Sequence, residues 1–301
     1  MLYEAELNSQ LYFKINAIKC NSCNSYLQEQ TKDGMVINMK VAITTTRNPD
    51  ESLINKAHCI AKELDIEYVK RGNYSIKKIS EMNEIEYFLF VEKNKIVLKG
   101  NDNTFFWHPS TSGFKINAIK EGLNEPMVEA MNLKEGDRVL DCTLGLATDS
   151  IVFASIVGKK GKVVGTEVNK YIACITKNGL NDYEDIDDET KMSMDRIDVV
   201  NSSYEEYILS QPDNSFDVIY FDPMFKSPNK KSIAINSLRP FAQQGGLKKE
   251  ILLQALRVCK NRVVIKERAG SGEFERLGIK KCYGNNKFGS IAYGVIEKEN
   301  A

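Results

Sequence analysis

The chain has 301 residues, enough to bury a sizeable core in one large domain or two smaller ones, and its composition (42% hydrophobic, 27% charged) is that of an ordinary globular protein. Its 41 basic and 41 acidic residues cancel, so no whole-molecule field draws nucleic acid and any such attraction must come from a local patch. Seven cysteines at irregular spacing argue against a disulfide framework, the start MLYEAELNSQ lacks the basic and apolar parts of a signal peptide, and no apolar run reaches membrane-spanning length, so a cytoplasmic protein that engages no membrane is expected.

Residues 1–40 are polar, with scattered aromatics and no sustained period. They read as an N-terminal extension, and Met39 is the expected natural start. Within them Cys20-Asn-Ser-Cys23 is half a zinc site; since the other five cysteines are singletons, it reads as free thiols and no metal is expected. The heptapeptide FKINAIK occurs at Phe13–Lys19 and again at Phe114–Lys120, and two copies do not make a repeat architecture.

Regular structure is expected from VAITTTRNP, a strand from Val41 followed by a turn, with Pro49 in the first position of a helix whose inner face carries Leu53, Ala57, Ile60 and Leu64. The pieces IEYVK, EYFLFVE and KIVLK read as strands, the last two forming a hairpin around Lys93-Asn94. Residues 41–106 thus form a small α/β domain. His58 and Cys59, in mid-helix, read as structural. Arg47 could join an anion-binding helix N-terminus, although a plain turn before Pro49 is the simpler account.

From Trp107 to residue 301 strands and helices alternate. A helix is predicted over 115–131, then the strand LKEGDRVLDC, the loop TLGLA, the helix TDSIVFASIVG closed by Gly158, and the strand KVVGTE. The helix NKYIACITKNGL, strand RIDVVN, helix SYEEYIL and strand FDVIYFD follow. After a long loop come the helix LKKEILLQALRVC, the strand RVVIKE and a terminal pair, IKKCYG and SIAYGVIEK. Alternation at this spacing predicts a parallel sheet with helices on both faces, ended by an antiparallel hairpin. The acidic YEDIDDE reads as a solvated insertion loop, and His108 as either a cleft residue or packing at a domain junction.

Ligands of open α/β sheets bind beyond the carboxyl ends of the strands, near the switch in strand order. Four such ends carry chemistry. Asp141, Thr143, Gly145, Ala147, Thr148 and Asp149 surround the first, where small residues let a ligand approach the backbone opening a helix. Glu167 closes the second, placed to accept both hydroxyls of a ribose or to favour a helix dipole as a first-turn acid. Ser202 and Ser203 end the third, as helix cap or adenine contact. Asp222-Pro223-Met224-Phe225 follows the fourth, where a routine turn is the plain alternative.

That succession resembles the class I S-adenosylmethionine-dependent methyltransferases, which implies a Rossmann-like seven-stranded sheet and S-adenosyl-L-methionine as cofactor. Under that reading Asp-Pro-Met-Phe acquires a purpose. An exocyclic base amine is a poor nucleophile because its lone pair is delocalised into the ring. The Asp222 carboxylate and the Pro223 carbonyl can accept its two hydrogens and turn the lone pair outward, Pro223 brings no competing N–H, and Phe225 offers a face for stacking.

DCTLGLATD, the pair Ser202-Ser203 and DPMF followed by KKS and Arg-Pro-Phe resemble, more narrowly, the bacterial small-subunit ribosomal RNA guanine-N2 methyltransferases and their Gram-positive relatives. The resemblance implies cofactor contacts at Thr148, Asp149, Glu167, Val168, Ser202 and Ser203, with Asp222 between cofactor and substrate. Two features depart from it. Ala147 stands where that family favours glycine, and FFWHPSTSGFKINAIK replaces a basic Gly-rich segment.

Charge is segregated along the chain: Asp222 to Arg268 holds eleven basic residues against three acids, and Asp182 to Glu206 ten acids against two bases. Lys226, Lys230, Lys231 and Arg239 are the nearest candidates for phosphate contacts with an RNA substrate, a solvated surface being the plain alternative. The rival readings are a methyltransferase for a protein amide or a small amine, and a non-catalytic nucleotide-binding module. A dinucleotide oxidoreductase is disfavoured because GxGxxG is absent.

Overall fold

The structure, a computed structural model, describes residues 26–30, 36–100, 104–123, 125–223, 246–284 and 291–298. These residues fall into two compact units, one ending at Trp107 and the other beginning at His108.

The first unit is a five-stranded sheet in the order β1-β2-β3-β4-β5, with β1 at Tyr26–Gln30, β2 at Val36–Thr45, β3 at Tyr87–Val91, β4 at Ile96–Lys99 and β5 at Thr104–Phe106. Only β2 and β3 run parallel, joined through helices α1 (Glu51–Leu64) and α2 (Ile76–Asn83). Val41 to Thr45 are all buried, as a central strand covered on both faces requires. The Lys93-Asn94 hairpin is present: Glu92 N–H donates to the Lys95 carbonyl at 2.9 Å, and β3 and β4 pair antiparallel.

Three expectations for this unit are revised. Strand β2 begins at Val36, five residues before Val41, and pairs with β1. IEYVK forms a single bridge between Ile43 and Tyr68. Pro49 stands before α1, and Asp50 caps the helix, its carboxylate accepting from Leu53 N–H at 2.8 Å. That carboxylate at the helix start already answers one of the N–H groups that an anion would seek there.

The second unit is a seven-stranded sheet in the order β11-β12-β10-β9-β6-β7-β8. Its strands are β6 (Arg138–Asp141), β7 (Lys162–Glu167), β8 (Ile197–Asn201), β9 (Phe216–Phe221), β10 (Cys259–Arg268), β11 (Lys281–Tyr283) and β12 (Ile291–Glu297). Strands β6 to β10 are parallel, and β12 runs antiparallel to both β10 and β11. The chain leaves β6 toward β7 and β8, then returns to place β9 on the other side of β6. The switch point therefore lies between β6 and β9, beyond Asp141 and Phe221.

Helices α3 (Ser112–Lys120), α4 (Pro126–Met131), α5 (Thr148–Val157), α6 (Lys170–Asp182), α7 (Asp188–Met194), α8 (Tyr204–Ser210), α9 (Lys249–Val258) and α10 (Glu273–Leu277) belong to this unit. Successive residues of β9 show how both faces are covered. The Tyr220 ring meets Phe153 of α5 edge-on at 4.9 Å, whereas Phe221 meets Tyr204 of α8 at 5.5 Å. Gly158 closes α5 as expected.

The helix predicted over 115–131 is broken into α3 and α4. Gly122 turns the chain at φ +78, and Pro126, which has no N–H to donate into a continuing helix, starts α4. Part of the acidic YEDIDDE stretch is ordered as the start of α7, capped by Asp187 and anchored by buried Thr190, Ser193 and Met194.

Candidate active site

The loop after β6 is shaped by two close approaches. Gly165 in β7 has no room for a side chain, since a Cβ there would lie 2.3 Å from Leu144 Cδ1, so Leu144 packs directly on the strand. Ala147 opens α5 with φ +61, a left-handed conformation that explains why glycine suits this position better. Between them Gly145, at φ +50, points its backbone at open space, with nothing closer to a built Cβ than the Thr143 carbonyl at 3.9 Å.

Asp141, at the tip of β6, is buried and organises the loop. It accepts from Thr143 N–H at 3.0 Å and from the Ser150 hydroxyl at 2.6 Å. Burial nevertheless pushes its carboxyl up to about 7. Glu167, at the tip of β7, accepts from Gly145 N–H at 3.2 Å and Asn169 N–H at 2.9 Å, and burial pushes it up to about 7 as well.

Across the switch point, Asp222 follows β9. Its backbone N–H donates to the Thr143 hydroxyl at 2.6 Å, which ties the loop after β9 to the loop after β6. The Lys266 ammonium of β10 reaches Asp222 Oδ2 at 2.7 Å and Asp149 Oδ2 at 2.9 Å. Asp149 is also held by Lys115 of α3, at 2.8 Å on Oδ1, and by the Tyr220 hydroxyl at 2.9 Å. Burial opposes ionisation of Asp149, but Lys266 and Lys115 hold it well below the usual carboxylate range. At Asp222 burial wins over Lys266 and, with the nearby Asp149 charge, raises the carboxyl. The Lys266 ammonium, itself penalised by burial, is stabilised far above the ordinary lysine range by the two aspartates.

The remaining sequence candidates take more modest positions. Thr148 presents its carbonyl to the Ser112 hydroxyl at 3.0 Å, and Val168 its carbonyl to Asn201 Nδ2 at 3.1 Å. Ser202 N–H donates to the Glu167 carbonyl at 3.2 Å, and Ser203 caps α8 by accepting from Glu206 N–H. His108 accepts from Ser110 N–H at 2.9 Å and meets Tyr183, just beyond α6, edge-on at 5.8 Å. Phe225, Lys226, Lys230, Lys231 and Arg239 lie outside the described residues, as do Cys20, Cys23 and the first FKINAIK.

Sequence reasoning missed Lys266 and Lys115. Lys266 is one of the eleven basic residues between Asp222 and Arg268, yet alternation along VVIKE places it on the Val264 face, and Val264 pairs with Tyr220. Lys115 belongs to the second FKINAIK. The basic excess after Asp222 is also smaller at the surface than its count suggests. Arg257 pairs with Asp213, Lys260 with Asp217, Arg262 with Glu297, and Lys266 with the site itself.

The strand order, with its antiparallel β12 inserted beside β10, and the loops gathered at the β6–β9 switch define a Rossmann-like methyltransferase. The family described as "Putative SAM-dependent methyltransferase" matches residues 77–276. YpiP of Bacillus subtilis, an uncharacterized protein, is 37% identical over 256 residues, covering 85% of this chain and 98% of its own length. Ribosomal RNA small subunit methyltransferase J of Francisella tularensis subsp. novicida is 27% identical over 198 residues, covering 63% of this chain and 79% of its own length. The crystal structure of a SAM-dependent methyltransferase from Neisseria gonorrhoeae shares the fold with TM-score 0.59 and 19% identity, over 86% of this chain and 97% of that one. The chain belongs to the SAM-dependent methyltransferase family, and it is an enzyme whose cofactor is S-adenosyl-L-methionine.

The site suits that cofactor. Four carboxyl groups (Asp141, Asp149, Glu167 and Asp222) and two ammonium groups (Lys115 and Lys266, paired with Asp149 and Asp222) gather here, an acidic balance that fits a ligand whose sulfonium and ammonium charges outweigh its carboxylate. The bare backbone at Gly145 leaves room for a flat or sugar group beside Glu167. When bound, the cofactor supplies an electrophilic methyl group. Among the described residues, no helix is long and apolar enough to cross a membrane.

Proposed function

We propose that this enzyme methylates an exocyclic base amine, guanine N2 foremost, of ribosomal or other structured RNA. The observation that carries the reading is the place of Asp222-Pro223: beyond β9, across the switch point from Asp141 and tied to it through Thr143. A carboxylate and a carbonyl without a competing N–H suit an amine whose two hydrogens must be accepted while its nitrogen attacks. Asp222, Pro223 and Phe225 would hold that amine. Asp141, Thr143, Gly145, Ala147, Thr148, Asp149, Glu167, Val168, Ser202 and Ser203 would line the cofactor pocket. Lys226, Lys230, Lys231 and Arg239 would meet phosphates. The small domain read from the sequence as 41–106 would also take in β1 and the start of β2, and 107–301 would form the methyltransferase domain.

The relatives named ribosomal RNA small subunit methyltransferase J support the RNA substrate. The test compares base modifications in ribosomal RNA from cells with and without the gene. A missing methylated guanine that returns with the wild-type gene, but not with Asp222→Asn, is the expected result. Identical modification in both strains would overturn the reading.

A further inference from the structure

Lys266 is the one basic side chain in the described site that touches the carboxylate facing the substrate side of the crevice. It binds Asp222 through Oδ2 alone, at 2.7 Å, and among the described residues nothing binds Oδ1. The backbone of Asp222 is fixed independently, by the Thr143 hydroxyl. Lys266 in turn is fixed from behind. Asp149 takes it at 2.9 Å, and Asp149 is itself held by Lys115 and the Tyr220 hydroxyl, so three side chains from α3, α5 and β9 set where the ammonium sits. Such convergence places a charge with little freedom to move.

We propose that Lys266 is a positioning residue for methyl transfer: by occupying Oδ2 it orients the Asp222 carboxylate and leaves Oδ1 as the single acceptor for a substrate N–H. The inference rests on the reading of Asp222 as the acceptor of the target amine. It adds how the acceptor is kept charged and aimed in a site that disfavours both. Asp222 is surrounded by the carboxylates of Asp149 and Asp141, the hydroxyls of Tyr220 and Tyr293, and the ammonium groups of Lys266 and Lys115. Burial is the largest influence on Asp222 and raises it, and Lys266 is the leading charge acting the other way. Without Lys266, burial and the Asp149 charge act on Asp222 against the weaker pull of Lys115.

The test uses the full chain labelled with carbon-13 at the aspartate side-chain carboxyl, the Asp222 signal being assigned by its loss in Asp222→Asn. In Lys266→Met the Asp222 titration should move upward by about one pH unit or more. With ribosomal RNA from cells lacking the gene as substrate, kcat should fall about 100-fold with a smaller change in KM, because a misplaced acceptor costs rate more than binding. The acidic limb of the remaining activity should move to higher pH with it. Lys266→Arg keeps the charge but not the point geometry, so the titration should stay near the wild-type position while kcat still falls. Should Lys266→Met not fold, Lys266→Gln, which donates but carries no charge, is read the same way. An Asp222 titration unmoved in the uncharged variant, or wild-type kcat there, overturns the role of Lys266. Wild-type activity in Asp222→Asn would instead overturn the reading of Asp222 itself, whatever Lys266 does.

Discussion

The hydroxyl of Thr143 accepts the backbone N–H of Asp222 at 2.6 Å, while the N–H of Thr143 donates to Asp141 at 3.0 Å. One side chain thus links the tips of β6 and β9, the two strands flanking the switch point. With the backbone bond from Cys142 N–H to the Tyr220 carbonyl at 2.9 Å, the link fixes the loop after β9 to the loop after β6.

Replacing Thr143 with valine keeps the shape and removes the acceptor. The Asp222 N–H, partly buried, is then left without its partner, which costs about 1–3 kcal/mol of stability. Thr143→Val should lower the denaturation midpoint accordingly and reduce kcat, and Thr143→Ser, which restores the hydroxyl, should recover most of both. Chemical denaturation beside initial-rate kinetics on the three proteins checks this. Equal stability of the valine and threonine forms would show that the bond does not hold the loops together.

Asp141 and Glu167 both sit at about 7 because burial penalises their charged forms. A cationic cofactor favours the ionised carboxylates, so its arrival lowers both values and expels protons. The sign follows: below 7 the carboxyls are largely protonated and binding must first ionise them, whereas above 7 they are already charged. Affinity for S-adenosylmethionine should therefore rise as pH increases from about 6 to about 8 and level off beyond. Calorimetry in buffers of different ionisation enthalpy should show proton release at pH 7. Glu167→Gln should flatten the pH dependence and weaken binding by about ten- to a hundredfold, the worth of a hydrogen bond to a charged group. A pH-independent affinity would mean that neither carboxyl meets the cofactor's charge.

The sheet was legible in the sequence because its strands are buried on both faces and stand out as apolar runs between amphipathic helices. Val139, Leu140, Val163 and Val218 to Phe221 lie where those runs placed them. Asp141, Glu167 and Asp222 were legible for the same reason, each ending such a run. Lys266 and Lys115 were not, because their roles depend on which strands are neighbours and where α3 lies, and no local pattern states either. The break between α3 and α4 was foreshadowed by Gly122 and Pro126, but the helical spacing on either side masked it. The basic count after Asp222 misled because composition does not distinguish a lysine facing solvent from one facing an aspartate.

Gly165 is the last element on which the site's geometry turns. It lies in the middle of β7, where any side chain costs little in strand propensity, so its glycine needs a tertiary reason. The reason is Leu144, a buried residue of the loop after β6 whose Cδ1 would lie 2.3 Å from a Cβ at position 165. Gly165→Ala should therefore push the loop away from β7 and carry Gly145 N–H off the Glu167 carboxylate it now reaches at 3.2 Å. Overpacking of this kind costs about 1–3 kcal/mol, and cofactor affinity should fall along with stability. Leu144→Ala alone leaves a cavity and costs about 2–5 kcal/mol. In the double variant the added methyl enters the space that Leu144 vacated, so the two losses should sum to less than their separate values. A double-mutant cycle read both by denaturation and by S-adenosylmethionine binding decides it. Strict additivity in both would show that Gly165 does not govern the loop through Leu144.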